Sequence, residues 1–207
     1  DDVAALKGKS IGLPRGTGAE GYALGVLGEA GLGQDDVTLV NVAPAELVTA
    51  LNQGDVDAIA IWEPWSSTAV TKVEGAVRVK QGGCPSCYDP GTILTTKAVI
   101  AENPEALTRF MGAFAEAQQW VRQNRDEAAE VNMRWIQGVD LETMRLALGT
   151  SHLDPRMSTL TAAMYQEKSL PFLVSLGRVE SVFDPSGSID NTFMKKAMEA
   201  NPDAFAD

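Results

Sequence analysis

Residues 6–65 open with Leu6-Lys7-Gly8-Lys9-Ser10-Ile11-Gly12-Leu13-Pro14-Arg15-Gly16-Thr17-Gly18 and close with Trp62-Glu63-Pro64-Trp65. They read as one alternation of strands and helices. Ser10 to Leu13 is a short apolar run ended by Pro14, and the glycines at 16 and 18 let the backbone turn sharply into a helix that Thr17 can cap. A helix started in this way leaves N–H groups and a positive dipole end facing the loop, which suits an anion. Gly31 follows Ala30 as a C-terminal stop. Val37 to Asn41 carries the β-branched signature of a second strand. Pro44 opens a helix with Leu47, Ala50 and Leu51 on one face, Gly54 ends it, and Val56 to Ile61 predicts a third strand. Strands separated by helices imply a parallel sheet. Sheets of this kind bind ligands beyond the carboxyl ends of their strands, where Arg15 to Gly18, Asn41 to Ala43 and Trp62 to Trp65 would all emerge.

The remainder is organised differently. Ala76 to Lys80 and Thr92 to Ile100 read as strands flanking the loop Gln81 to Gly91. Asn103 and Pro104 then start a helix whose stripe of Leu107, Phe110, Met111, Phe114 and Val121 predicts a core face. Further helices are expected at 126–136, 141–148, 158–168 and 191–200. The lobe boundary is placed in the loop, giving residues 1–83 as an α/β ligand-binding lobe, 84–91 as a hinge loop and 92–207 as an α-rich remainder.

Composition bounds the function. A chain of 207 residues with 44% apolar content can build one large or two small packed domains. A formal net charge of -11 argues against nucleic acid or anionic membrane as a partner of the bulk surface. No apolar run is long enough to span a membrane and no signal peptide is visible, so a soluble chain is expected, with any targeting sequence removed or never present.

Several constellations carry alternatives. The glycines at 16 and 18 match neither the dinucleotide nor the P-loop spacing, which favours a small oxyanion over a nucleotide; a plain tight turn is the other reading. Arg15 is either an anion-attracting cation or a solvated loop residue. Trp62 and Glu63 after a buried strand suit a small ligand with an apolar body, Glu63 taking an ammonium or hydroxyl group. Alternatively Trp65 packs under the next helix and Glu63 caps it. Cys84-Pro85-Ser86-Cys87 has the spacing of a redox motif, half a zinc site or a small disulfide loop. With one histidine in the chain and no second cysteine pair, zinc lacks ligands, and no helix follows to lower a thiol pKa. No metal or other cofactor is therefore expected. His152 lies in a loop between helices and lacks the partners of a hydrolase or metalloenzyme; it is either incidental or a cleft residue.

Leu-Lys-Gly-Lys-Ser-Ile-Gly-Leu-Pro-Arg-Gly-Thr, Leu-Asn-Gln-Gly-Asp-Val-Asp-Ala and Trp-Glu-Pro-Trp together resemble the substrate-binding proteins of bacterial ABC importers, of the nitrate, aliphatic-sulfonate and taurine type. The resemblance runs on through Tyr88 to Ile100, Asn103 to Leu107 and the helical tail. It implies a type II periplasmic-binding-protein fold, a small anionic ligand held in a cleft without chemistry, a membrane permease as partner, and a periplasmic or extracytoplasmic location through a partner or lost anchor. The candidate ligand-binding residues are Arg15, Gly16, Thr17, Gly18, Asn41, Trp62, Glu63, Tyr88 and His152, with Trp65 assigned to the core. An exported protein would hold Cys84 and Cys87 as a local disulfide. In such relatives the Leu6 to Lys9 turn opens the second lobe, so the strands of the first are expected from a lost N-terminal segment or a second copy, covering apolar helix faces left bare in the tail. An effector-sensing regulatory domain and a pyrimidine-precursor binding protein or synthase share this resemblance and stay open as alternatives.

Overall fold

The structure, a computed structural model, describes residues 2–82, 84, 92–151, 153 and 160–205. After a 3-10 turn at Val3–Leu6, its elements run β1 (Ser10–Leu13), α1 (Gly18–Glu29), β2 (Thr38–Asn41), α2 (Leu47–Gln53), β3 (Ala58–Ile59) and α3 (Trp65–Lys72). They continue with α4 (Lys97–Glu102), α5 (Pro104–Gln123), α6 (Arg125–Asn132), α7 (Leu141–Thr150), α8 (Leu160–Met164), a π-helical turn at Tyr165–Ser169, α9 (Leu170–Ser175) and α10 (Thr192–Ala200). Two compact units result, Asp1–Asp89 with Asn132–Thr150, and Pro90–Val131 with Ser151–Asp207.

In the first unit the strand order is β2-β1-β3 and both pairings are parallel. The central strand explains itself chemically. Ile11, Gly12 and Leu13 are all buried, the continuous apolar reading of a strand covered on both faces. Gly12 makes room for close packing: a Cβ there would lie 3.0 Å from Leu47 Cδ2 and 3.2 Å from Val56 Cγ2, so its absence lets α2 approach the strand without displacing those side chains. Ile11 and Leu13 join Ala23 and Leu27 of α1 with Leu32 and Val37 in one cluster. Ala23 and Leu27 are four residues apart and therefore on one face of the helix.

The start of β1 is latched to the approach of β3. The Asp57 carboxylate accepts the Ser10 N–H at 2.8 Å and the Ser10 hydroxyl at 2.7 Å, and Lys9 Nζ lies 3.3 Å away. The Ser10 hydroxyl accepts the Asp57 N–H in return, at 2.9 Å. The expected strand from Val56 to Ile61 is reduced to Ala58–Ile59, although backbone bonds to β1 flank it on both sides: the Asp57 N–H donates to the Ser10 carbonyl at 3.0 Å and the Ala60 N–H to the Gly12 carbonyl at 2.9 Å.

Residues 132–150 group with this first unit, whereas the division expected at the 84–91 loop is contiguous. Thr143 and Met144 of α7 are buried, the Thr71 and Thr143 hydroxyls meet at 2.8 Å, and Lys72 pairs with Asp140. Asp140 also accepts the Thr143 N–H at 2.8 Å, capping α7. Of the proposed hinge loop only Cys84 falls among the described residues.

The second unit is helical. Met111 and Ala115 of α5, Phe193, Met194 and Ala197 of α10, and Ala204 and Phe205 form its core, with Leu107 and Phe114 packed against it. The expected stripe on α5 holds at Leu107, Met111 and Phe114, whereas Phe110 stays 50% exposed, stacking on Phe114 at 6.1 Å, and Val121 is partly buried outside the cluster. Among the described residues two expected strands are not formed. Thr92 to Ile100 instead contains the start of α4, whose N-terminus Thr96 caps by accepting the Val99 N–H at 3.2 Å. Ala76 to Lys80 runs without a strand partner.

Leu47 is fully buried over Gly12, so Leu47→Ala is expected to lower unfolding stability by about 2–5 kcal/mol, read from the urea midpoint. The Asp57 carboxyl is held at about 2, below its usual 3.8, by the Ser10 backbone hydrogen bond first and then by the Ser10 hydroxyl and Lys9. A depressed folded-state pKa stabilises the fold above the unfolded value, and that stability is lost as pH falls toward 2. Asp57→Asn should therefore lower the urea midpoint at pH 7, the gap to the parent chain closing between pH 4 and pH 2.

Candidate functional site

Three loops leave the carboxyl ends of the parallel strands on one edge of the first unit: Pro14 to Thr17 after β1, Val42 and Ala43 after β2, and Ala60 to Pro64 after β3. The first is built around a carboxylate of the chain itself. Glu20, in the first turn of α1 with a side chain only 5% exposed, accepts the Gly16 N–H at 2.8 Å and the Arg15 Nε–H at 2.9 Å. Thr17 is the N-cap, accepting the Ala19 N–H at 3.3 Å while its hydroxyl donates to the Pro14 carbonyl at 2.6 Å. Asn41 steadies the same loop by accepting the Arg15 N–H at 3.0 Å. Glu20 thus engages the Gly16 N–H and the Arg15 guanidinium of the loop anticipated as an anion position, and Asn41 engages the Arg15 N–H.

The third loop forms a cavity. About 410 Å³ is enclosed by Gly18, Ala19 and Tyr22 of α1, Ile61 to Glu63, Ser66, Arg78 to Gly82 without Val79, and Thr150. Trp62 is 47% exposed and supplies an aromatic wall. Glu63, whose peptide bond to Pro64 is cis, turns its carboxylate inward along three bonds. Its Oε2 accepts the Ser67 N–H at 3.0 Å in the first turn of α3, and its Oε1 accepts the Thr150 hydroxyl at 3.2 Å and pairs with Arg78 Nη2 at 3.2 Å. Arg78, with a side chain 19% exposed, also donates to Gln81 Oε1 at 2.7 Å and Ser67 Oγ at 3.1 Å. Lys80 is an exposed cation on the lining with no partner among the described residues. The Tyr22 hydroxyl donates to the Gly82 carbonyl at 3.2 Å, and burial first, then the charge of Glu29, raises its pKa, so it stays a neutral donor.

Of the residues singled out from sequence, Gly18, Trp62 and Glu63 come together on this cavity. Trp65 opens α3 and is partly buried. The capping role weighed for Glu63 is real, through Ser67, and coexists with its place on the lining. Tyr88, His152 and Cys87 lie outside the described residues; Cys84 is disulfide-bonded. Tyr22, Ser66, Arg78, Lys80, Gln81 and Thr150 were missed. Only Arg78 and Lys80 left a signal, two cations alternating with valines just before a glycine-rich loop. A second cavity of about 490 Å³ runs along β3 and the stretch from Val73 to Lys80, lined mainly by aliphatic side chains.

The chain belongs to the NMT1/THI5-like family, whose model matches residues 1–128. It is 30% identical over 198 residues to a Bacillus subtilis protein described as aliphatic sulfonates-binding, covering 96% of this chain and 59% of that one. A nitrate/nitrite binding protein NrtA of Synechococcus elongatus is 30% identical over 100 residues, 47% of this chain and 22% of that protein. The crystal structure of the periplasmic aliphatic sulphonate binding protein SsuA from Escherichia coli superposes with a TM-score of 0.76 at 25% identity, over 91% of this chain and 61% of that one. The fold is therefore that of the type II periplasmic binding proteins, as the resemblance in sequence implied, and the chain spans about three fifths of the length of the sulfonate-binding relatives. None of the described helices is long and apolar enough to cross a membrane.

Because Glu20 satisfies the Gly16 N–H in a buried position, Glu20→Ala should lower unfolding stability by about 1–3 kcal/mol. Glu20→Gln, which keeps an acceptor, should lose less in the same denaturant titration.

Proposed function

We propose that this chain is the ligand-binding part of an extracytoplasmic solute-binding protein that captures a small anion of the sulfonate and nitrate class and presents it to an ABC permease. The observation that carries the reading is the charge of the cavity beside Trp62: two cations, Arg78 and Lys80, against one carboxylate, Glu63, on a chain whose net charge is -11. Local positive charge against that background favours an anion, and a cavity of about 410 Å³ is the size of a small-molecule site. The sulfonate- and nitrate-binding relatives support the same ligand class. Binding without reaction fits a site in which Glu63 and Arg78 are held to each other and to the scaffold rather than poised for proton transfer.

The location proposed is the periplasm or its equivalent outside the cytoplasmic membrane, and the oxidised state of Cys84 agrees with it. Binding linked to folding gives the test. An alkanesulfonate at a hundred times its Kd should raise stability by about 2.7 kcal/mol, seen as an upward shift of the melting midpoint. Titration should also change tryptophan fluorescence, and Trp62→Phe should remove most of that change. A cooperative melt indifferent to alkanesulfonates, nitrate and taurine alike would refute the reading.

A further inference from the structure

We propose that the second cavity, the one beside β3, is a slot for one added β-strand: an extended, uncharged polypeptide segment that pairs with β3 along one edge and with residues 77–80 along the other. Both edges lack a ladder partner. β3 lies at the end of the order β2-β1-β3, and the backbone of Ile61, just after it, makes no hydrogen bond among the described residues. Val77, Arg78, Val79 and Lys80 line the same cavity, and none of their backbone N–H or carbonyl groups has a partner among those residues either. Main-chain groups beside aliphatic side chains need partners, and an extended segment laid between two open edges supplies them to both.

The lining also sets what the strand is made of. Ala58 and Ala60 pack on the cluster that Ile11 and Leu13 form with α1, whereas α2 covers the opposite face at Gly12 and α3 packs beside α2. The cavity therefore has Ala23, Val26 and Leu27 of α1 on one side and Ala69 and Val70 of α3 on the other. A strand seated there is covered on both faces, which calls for a near-continuous run of β-branched and aliphatic residues rather than an alternating one. Its apolar surroundings are bare without it: Val77 is 57% exposed, and residues 58–61 are only partly buried. The source of the strand is the family's own polypeptide. This chain spans 59% and 61% of two sulfonate-binding relatives, so about two fifths of such a chain lies outside the match. The inference does not depend on what the cavity beside Trp62 binds, although residues 78–82 border that cavity too and the added strand would hold them in place.

Peptides of about fifteen residues, long enough to hold a whole strand, can be tiled across the unmatched part of the Bacillus subtilis relative and titrated into this chain by fluorescence anisotropy. Binding should be confined to overlapping peptides that share one uncharged β-branched run. The tightest of them should slow hydrogen exchange of the Ile61 and 77–80 amides about tenfold or more. Proline in the middle of that run should abolish binding, because it removes a ladder donor. Val77→Lys, at a side chain already exposed, should weaken binding about tenfold or more without moving the melting midpoint of the free chain. Failure of every peptide to bind, binding that leaves those amides unprotected, or equal binding of the proline peptide would overturn the inference. Protection of the same amides without peptide, rising with chain concentration, would give the slot to a second copy and overturn the source stated here.

Discussion

The carboxylate of Glu63 ties together pieces of the first unit that are far apart in sequence. It receives the first turn of α3 through Ser67, the end of α7 through Thr150, and the stretch after α3 through Arg78. A loop emerging from a two-residue strand has little ladder of its own to position it, so the side-chain bonds do that work. The Glu63–Arg78 pair is neither open to water nor sealed from it. Fully exposed pairs contribute about 0–1 kcal/mol, and breaking buried ones costs about 3–5 kcal/mol. This pair falls between, enough to fix Arg78 yet compatible with a wet cavity. The cavity wall from Arg78 to Gly82 has no strand partner among the described residues and is held by Glu63, Ser67 and the Tyr22 hydroxyl.

An anion site on a chain of net charge -11 requires that near charges outweigh far ones. Screening provides this. At physiological salt the Debye length is about 8 Å, so acidic groups on distant faces contribute little at the cavity, whereas Arg78 and Lys80 are on its lining. The overall field acts mainly on encounter, slowing the approach of an anion, while affinity is set by the groups it touches. A positive cavity in a negative chain is therefore a consistent arrangement.

The alternation of strands and helices up to Trp65 was legible because each element carries its own local signal: β-branched runs, glycine stops, a threonine cap. The position of Trp62 and Glu63 at a carboxyl edge followed from that alternation. Where legibility failed, the deciding contact was distant in sequence or two local signals competed. Lys97-Ala98-Val99-Ile100 has the β-branched content of a strand, but Thr96 as an N-cap and the following Asn103-Pro104 divide the region into two helices. Asp57 looked like an ordinary member of an alternating strand, and only the parallel register shows that it stands beside Ser10. Thr150 reaches Glu63 across 87 positions, and no spacing rule reports that. The assignment of α7 to the first unit depends likewise on Thr71 meeting Thr143, a contact between two unremarkable threonines.

The glycine loop after β1 shows why an anion-shaped position is not by itself an anion site. Backbone N–H groups at the start of a helix attract any carboxylate, and one supplied by the same chain at the same helix start acts at an effective concentration that a dissolved ligand does not reach. Glu20 lies four residues beyond Gly16, within one helical turn, and closes on that N–H and on Arg15 together. Glu20 thus engages the Gly16 N–H and the Arg15 guanidinium from within the chain. Glu63 neutralises Arg78 in the same manner that Glu20 neutralises Arg15. The two carboxylates between them cancel the more obvious cations, and the remaining charge on the cavity lining is that of Lys80. Arg15 is held in the loop after β1 and Arg78 is held to Glu63, Ser67 and Gln81, so each arginine is tied to the scaffold by its own carboxylate.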